Sequence, residues 1–149
     1  MNNNSFQRLG AISNTHVGSE FEDLVRDYFA RQGFPLVRNF TVSVGIGEIK
    51  KPRRFDWGSA EPPILVECKS HAWTVGGNIP SAKMTAWNEA MYYFYMAPVT
   101  YRKVFFALKD LREGNSLAAY YIKCHGHMIP PDVEIWEYDV ADRQAVRLL

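Results

Sequence analysis

The sequence predicts an α/β domain built on a mixed central β-sheet of about five strands flanked by helices. Three observations point there. The 149 residues are 47% hydrophobic and 14% aromatic, enough for one well-buried core and too few for two ordinary domains. Apolar residues recur at helical spacing in some stretches and at strand spacing in others. Gly33, Gly45-Ile46-Gly47, Pro62-Pro63, Pro98 and Pro130-Pro131 separate those stretches with residues that end regular structure.

Residues 1–15 are polar and carry Asn2-Asn3-Asn4 without a clear period, so a loose arm is expected before a single domain over 16–149. From Gly18-Ser19-Glu20 onward, Phe21, Leu24, Val25, Tyr28 and Phe29 form a helical stripe that Gly33 stops. Ser19 and Glu22 have the spacing of a capping box. Residues 36–44, rich in Val, Phe and Thr, read as a first strand. Two further strands carry Arg53-Arg54-Phe55-Asp56-Trp57-Gly58-Ser59 and Ile64-Leu65-Val66-Glu67-Cys68-Lys69, joined by Ala60-Glu61-Pro62-Pro63. Pro80-Ser81 opens a second helix through about Tyr95, with Met84, Trp87, Met91 and Phe94 on one stripe. A strand over 103–108 follows. Asn115-Ser116 can cap a short helix carrying Leu117, Tyr120 and Tyr121, and residues 133–138 alternate as a last, half-buried strand.

The chemistry concentrates on the second and third strands. Alternation puts Glu67 and Lys69 on one face and Val66 and Cys68 on the other, and a neighbouring strand brings Asp56 to the same spot. Charges in a run as apolar as Ile64-Leu65-Val66 need a reason to be there. Two carboxylates are hard oxygen ligands of the kind Mg²⁺ takes, and an ammonium beside them suits the charge that develops on a phosphodiester under attack by water. The four cations of Lys50-Lys51-Pro52-Arg53-Arg54 are either phosphate contacts or gatekeeping charge on a solvated hairpin. Trp73, in the loop after Lys69, either stacks on a base or packs on its own domain. His71 has the ordinary pKa of a general base, which a metal-activated water does not require. Cys68 with His71 and Cys124 with His127 have zinc-like spacing, but strand alternation places Cys68 and His71 on opposite faces, which disfavours zinc.

Asp56, ten intervening residues and then Glu67-Cys68-Lys69 at the end of an apolar strand resemble the PD-(D/E)xK, or restriction-endonuclease-like, nuclease superfamily. Gly18, Phe21-Glu22 and Gly33-Phe34 are similar to its first helix, and the resemblance runs from Gly18 to Tyr138. Phe55 stands where that motif has proline. The resemblance implies a restriction-endonuclease-like core of order αβββαβ and a metal-dependent nuclease, an endonuclease acting on DNA. It implies catalytic roles for Asp56, Glu67, Lys69 and Glu22, and a metal site of Asp56, Glu67 and the backbone carbonyl of Cys68. Mg²⁺ is the implied cofactor, with Mn²⁺ able to substitute. Lys83, with Ser81 at the start of the second helix, joins Lys51, Arg53, Arg54 and Trp73 as candidates for nucleic-acid contact. A homodimer or larger complex would supply specificity that so small a domain lacks. The alternative is a catalytically silent module that binds nucleic acid or a partner on the same fold. The formal charge of +1, the lack of a disulfide framework, of a bilayer-length apolar run and of a signal segment lead to the expectation of a cytoplasmic protein without membrane contact.

Overall fold

The computed structural model describes residues 14–149, with side chains from residue 16 onward. The expected N-terminal arm therefore lies outside the described residues except for Asn14 and Thr15, which are helical. In chain order the elements are α1 (Asn14–Arg31), β1 (Val37–Val44), β2 (Lys51–Ala60), β3 (Pro63–Lys69), α2 (Ser81–Met96), β4 (Arg102–Leu108), β5 (Leu111–Arg112), β6 (Asn115–Ser116), α3 (Leu117–His125), β7 (Val133–Asp139) and β8 (Gln144–Arg147), with a 3₁₀ turn at Gly126–Met128.

A mixed six-stranded sheet of order β1-β2-β3-β4-β7-β8 divides the molecule. β2 runs antiparallel to both its neighbours β1 and β3, β3, β4 and β7 run parallel, and β8 returns antiparallel along β7. Each face carries its own apolar cluster. On one side α1 lays Phe21, Val25 and Phe29 against Ile64, Val66, Phe106 and Tyr138. On the other, α2 and α3 bring Trp87, Met91, Phe94 and Tyr121 against Leu65, Phe105 and Ile135. Ile64, Leu65 and Val66 are at most 2% exposed, as a strand covered on both faces requires.

Two expectations are corrected. α1 already includes Asn14, ahead of the expected start at Gly18-Ser19, because buried Val17 extends the apolar stripe one turn before Phe21. Ser19 is thus interior to the helix and caps nothing, and Glu22 pairs with Arg38 instead. Pro80-Ser81 opens α2 as expected, with Ser81 the first helical residue and Pro80 before it making no side-chain bond. The sheet has six strands because β8, short and mostly exposed, is fixed by pairing with β7 and not by a pattern of its own. The helix stop at Gly33 is observed, with φ +87° and Phe34 N–H bonded to the Phe29 carbonyl at 2.9 Å. Ser116 caps α3 through the Ala119 N–H at 3.1 Å.

Candidate active site

The site forms where β2 and β3 part. Their pairing runs from Ala60↔Pro63 to Trp57↔Val66, and the next pair in register would be Asp56 opposite Glu67. There the ladder stops, and Asp56 Oδ2 accepts the Cys68 N–H at 2.7 Å, so a side-chain carboxylate replaces the backbone acceptor. The cause lies one residue into the β1-β2 pair. Phe55 packs on the α2 side and Trp57 on the α1 side, although alternation would put both on one face. Asn39, between Arg38↔Trp57 and Phe40↔Phe55, has φ +54°, and the hairpin changes face there. Asp56 stands at that crossover.

Glu67 and Lys69 project to the α2 side. Glu67 Oε1 receives Lys69 Nζ at 3.2 Å and Arg53 Nη2 at 3.3 Å, while Oε2 is buried without a partner. Burial, then the neighbouring Asp56 charge, push the Glu67 carboxyl up to about 7, against the opposing pull of Lys69 and Arg53. Burial also raises Asp56, opposed by the Cys68 amide and by Lys69, Arg53 and Arg38. Arg53 lies over the Tyr93 ring at 4.0 Å, and its Nε is buried without a partner. On the α1 side, Trp57 Nε1 donates to the Glu22 carbonyl at 3.0 Å. The Glu22 carboxylate pairs with Arg38 at 2.8 Å and is raised by burial and by Asp56, so it belongs to the same electrostatic neighbourhood.

The buried Glu67 carboxylate, repelled by the half-buried Asp56 and left with one oxygen unpaired, can take a further positive charge beside Lys69 and Arg53. The donors are hard oxygens, which fits Mg²⁺ or Mn²⁺ and not a soft metal. Among the described residues no three His, Cys, Asp or Glu side chains gather into a metal-holding group. Asp56 and Glu67 would therefore supply two ligands, and Cys68 could add its carbonyl, because its thiol is buried in the α1-side cluster and pushed well up by that burial.

The remaining candidates are placed unevenly. Lys51 and Arg54 are exposed on β2, and Lys83 is exposed on the first turn of α2. Trp73 is pinned to its own domain: its Nε1 donates to the Asp110 and Asn115 carbonyls at 3.1 and 3.2 Å, and Tyr120 meets the ring edge-on. His71 Nδ1 accepts the Trp87 indole N–H at 2.8 Å. Burial, with Lys69 and Lys83 nearby, lowers His71 to about 4, too weak a base for chemistry near neutrality. Cys68 packs on the α1 side while His71 bonds to Trp87 of the opposite cluster, so the two do not converge as zinc ligands. The sequence reading missed Arg38, which bridges Glu22 and Asp23 and stacks on Trp57 at 4.4 Å. Those contacts cross from β1 to α1 and to β2, and no local pattern announces them.

In comparisons with known proteins, no family model, curated protein or solved structure matches this chain.

Proposed function

We propose that the chain is a Mg²⁺-dependent endonuclease that hydrolyses DNA phosphodiester bonds, with Mn²⁺ able to replace Mg²⁺, on a restriction-endonuclease-like core. The observation that carries the reading is buried Glu67 next to half-buried Asp56, with Lys69 Nζ 3.2 Å from Glu67 and one Glu67 oxygen unsatisfied. The order α1, three antiparallel strands, α2 and β4 parallel to β3 supports the fold reading.

Asp56 and Glu67 would hold the cation, which when bound supplies electrophilic polarisation of the phosphate and makes water a better nucleophile. In the reaction a water oxygen bonds to phosphorus and gives up a proton to solvent, the bond to the leaving oxygen breaks, and the leaving oxygen takes a proton from solvent. Lys69, whose ammonium lies 3.2 Å from Glu67 in the cation-free site, offsets charge growing on a non-bridging phosphate oxygen. Arg53, restrained by Tyr93, adds a second positive charge on the same face. The Asp56 bond to the Cys68 amide fixes the carboxylate without spending its other oxygen.

The test incubates purified protein with supercoiled plasmid and with single-stranded DNA in Mg²⁺, Mn²⁺ or EDTA, beside Asp56→Ala and Lys69→Ala. Nicked and linear plasmid should appear only with metal, and both folded variants should lose at least about a hundredfold in rate. Folded wild-type protein that binds DNA but cuts neither substrate under any metal would leave only a binding module on this fold.

A further inference from the structure

A second carboxylate lies in line with Lys69. Lys69 and Ala107 are register partners across β3 and β4, and Ala107 and Glu137 are partners across β4 and β7. The three residues form one row across the sheet, and Ala107 in the α2-side cluster fixes the row to the face that carries Glu67. Glu137 is 8% exposed in a central strand, and its Oε2 is buried without a hydrogen-bond partner. Such a group in a sheet interior is costly unless something complements it. The cations on that face of β4 and just beyond its end have partners of their own, Lys103 with Asp132 and Lys109 with Asp139.

Two strand spacings separate Lys69 from Glu137, about 10 Å between backbones, with Ala107 between them in the row. A lysine and a glutamate leaning toward each other bridge that span. Lys69 is only 19% exposed, so an ammonium released by Glu67 has little open water to enter.

We propose that Glu137 is a positioning residue of this site, a second acceptor that receives the Lys69 ammonium when a cation engages Glu67. The inference rests on the reading of Asp56 and Glu67 as cation ligands. Glu137 then keeps Lys69 beside Glu67 at the site, where a lysine without a second acceptor would swing away.

The ammonium protons of a lysine remain visible by NMR in ¹⁵N-labelled protein when hydrogen bonding slows their exchange with water, and Lys69→Arg identifies the Lys69 signal. Glu67→Gln removes the charge of Glu67 without any metal. In that variant the signal should persist, because Glu137 receives the ammonium; in Glu67→Gln/Glu137→Gln it should be lost. If the double variant does not fold, Glu67→Gln/Glu137→Asp takes its place, with the carboxylate one methylene shorter and the signal at least about halved. A signal already lost in Glu67→Gln, or equally strong with and without Glu137, overturns the proposal. Plasmid cleavage decides the nuclease reading separately: a protein that never cuts but shows this pattern loses the catalytic role and keeps the Lys69-Glu137 contact.

Discussion

Asp56 carries two duties that different substitutions separate. Its Oδ2 closes the ladder by accepting the Cys68 N–H, and its charge helps raise Glu67. Asn at position 56 keeps an acceptor and removes the charge, whereas Ala removes both and leaves a buried N–H unmet, which costs about 1–3 kcal/mol. Asp56→Ala should therefore unfold more easily than Asp56→Asn in urea by about that amount, while both lose metal-dependent cleavage. Equal stability of the two variants would mean that the Cys68 bond contributes nothing. Asp56, Glu67 and Lys69 were legible in the sequence because apolar strands rarely carry three charges without cause. Arg38 and Glu137 were not. Arg38 finds its partners on another element, and Glu137 looks like one polar step in an alternating strand until the register sets it beside Ala107 and Lys69.

The hairpin of β1 and β2 is the element that builds the site, and it does so by changing face. With a regular hairpin Phe55 and Trp57 would share one side, and Asp56 would turn away from the gap beside β3. Asn39 at φ +54° is the hinge of that change, a conformation that costs a β-branched residue about 1–2 kcal/mol and glycine almost nothing. Asn39→Gly should thus match the wild type in stability and cleavage, and Asn39→Val should lose about 1–2 kcal/mol along with activity. Gly58 guards the same turn from the other strand, since a Cβ there would lie 2.5 Å from the Phe40 ring. Gly58→Ala should lower thermal stability by about 1–3 kcal/mol, measured by calorimetry; an unchanged midpoint would show that Phe40 moves aside freely. Pro52 lies in the half of β2 that pairs only with β1, where a missing N–H breaks no second ladder. Pro80 and Pro98 made α2 readable within a residue or two. The crossover at Asn39 and Asp56 was invisible, because alternation is a rule for strands that stay in one plane, and nothing in the order of side chains marks where a strand leaves it.

At the scale of the whole molecule, the buried site links folding to pH and to the cation. Glu67 holds its proton to about pH 7 when folded but releases it near 4.5 when unfolded. Between those values the folded state binds more protons, so this group contributes stability that is full below about pH 4.5 and is lost as pH rises through 7. Asp56 and Glu22, also raised, act in the same direction. His71 opposes them: lowered to about 4 from 6.5, it contributes stability that is present above pH 6.5 and lost as pH falls toward 4. The opposed slopes overlap in weakly acidic solution, so the wild type alone is a poor reporter, and the informative quantity is its difference from Glu67→Gln. In EDTA, Glu67→Gln should gain thermal stability relative to the wild type as pH rises from 5 to 8, because the amide cannot acquire the charge that the fold resists. A cation reverses the sign. An ion that binds only the folded, ionised Asp56-Glu67 pair adds about 2.7 kcal/mol at a hundredfold excess over its Kd. Mg²⁺ should therefore raise the wild-type midpoint more at pH 8 than at pH 5, where protons compete for Glu67, and should leave Asp56→Ala unmoved. A Mg²⁺ shift of equal size at both pH values, or one that survives in Asp56→Ala, would place the ion elsewhere on the molecule and remove the physical basis for reading this pair as the catalytic centre.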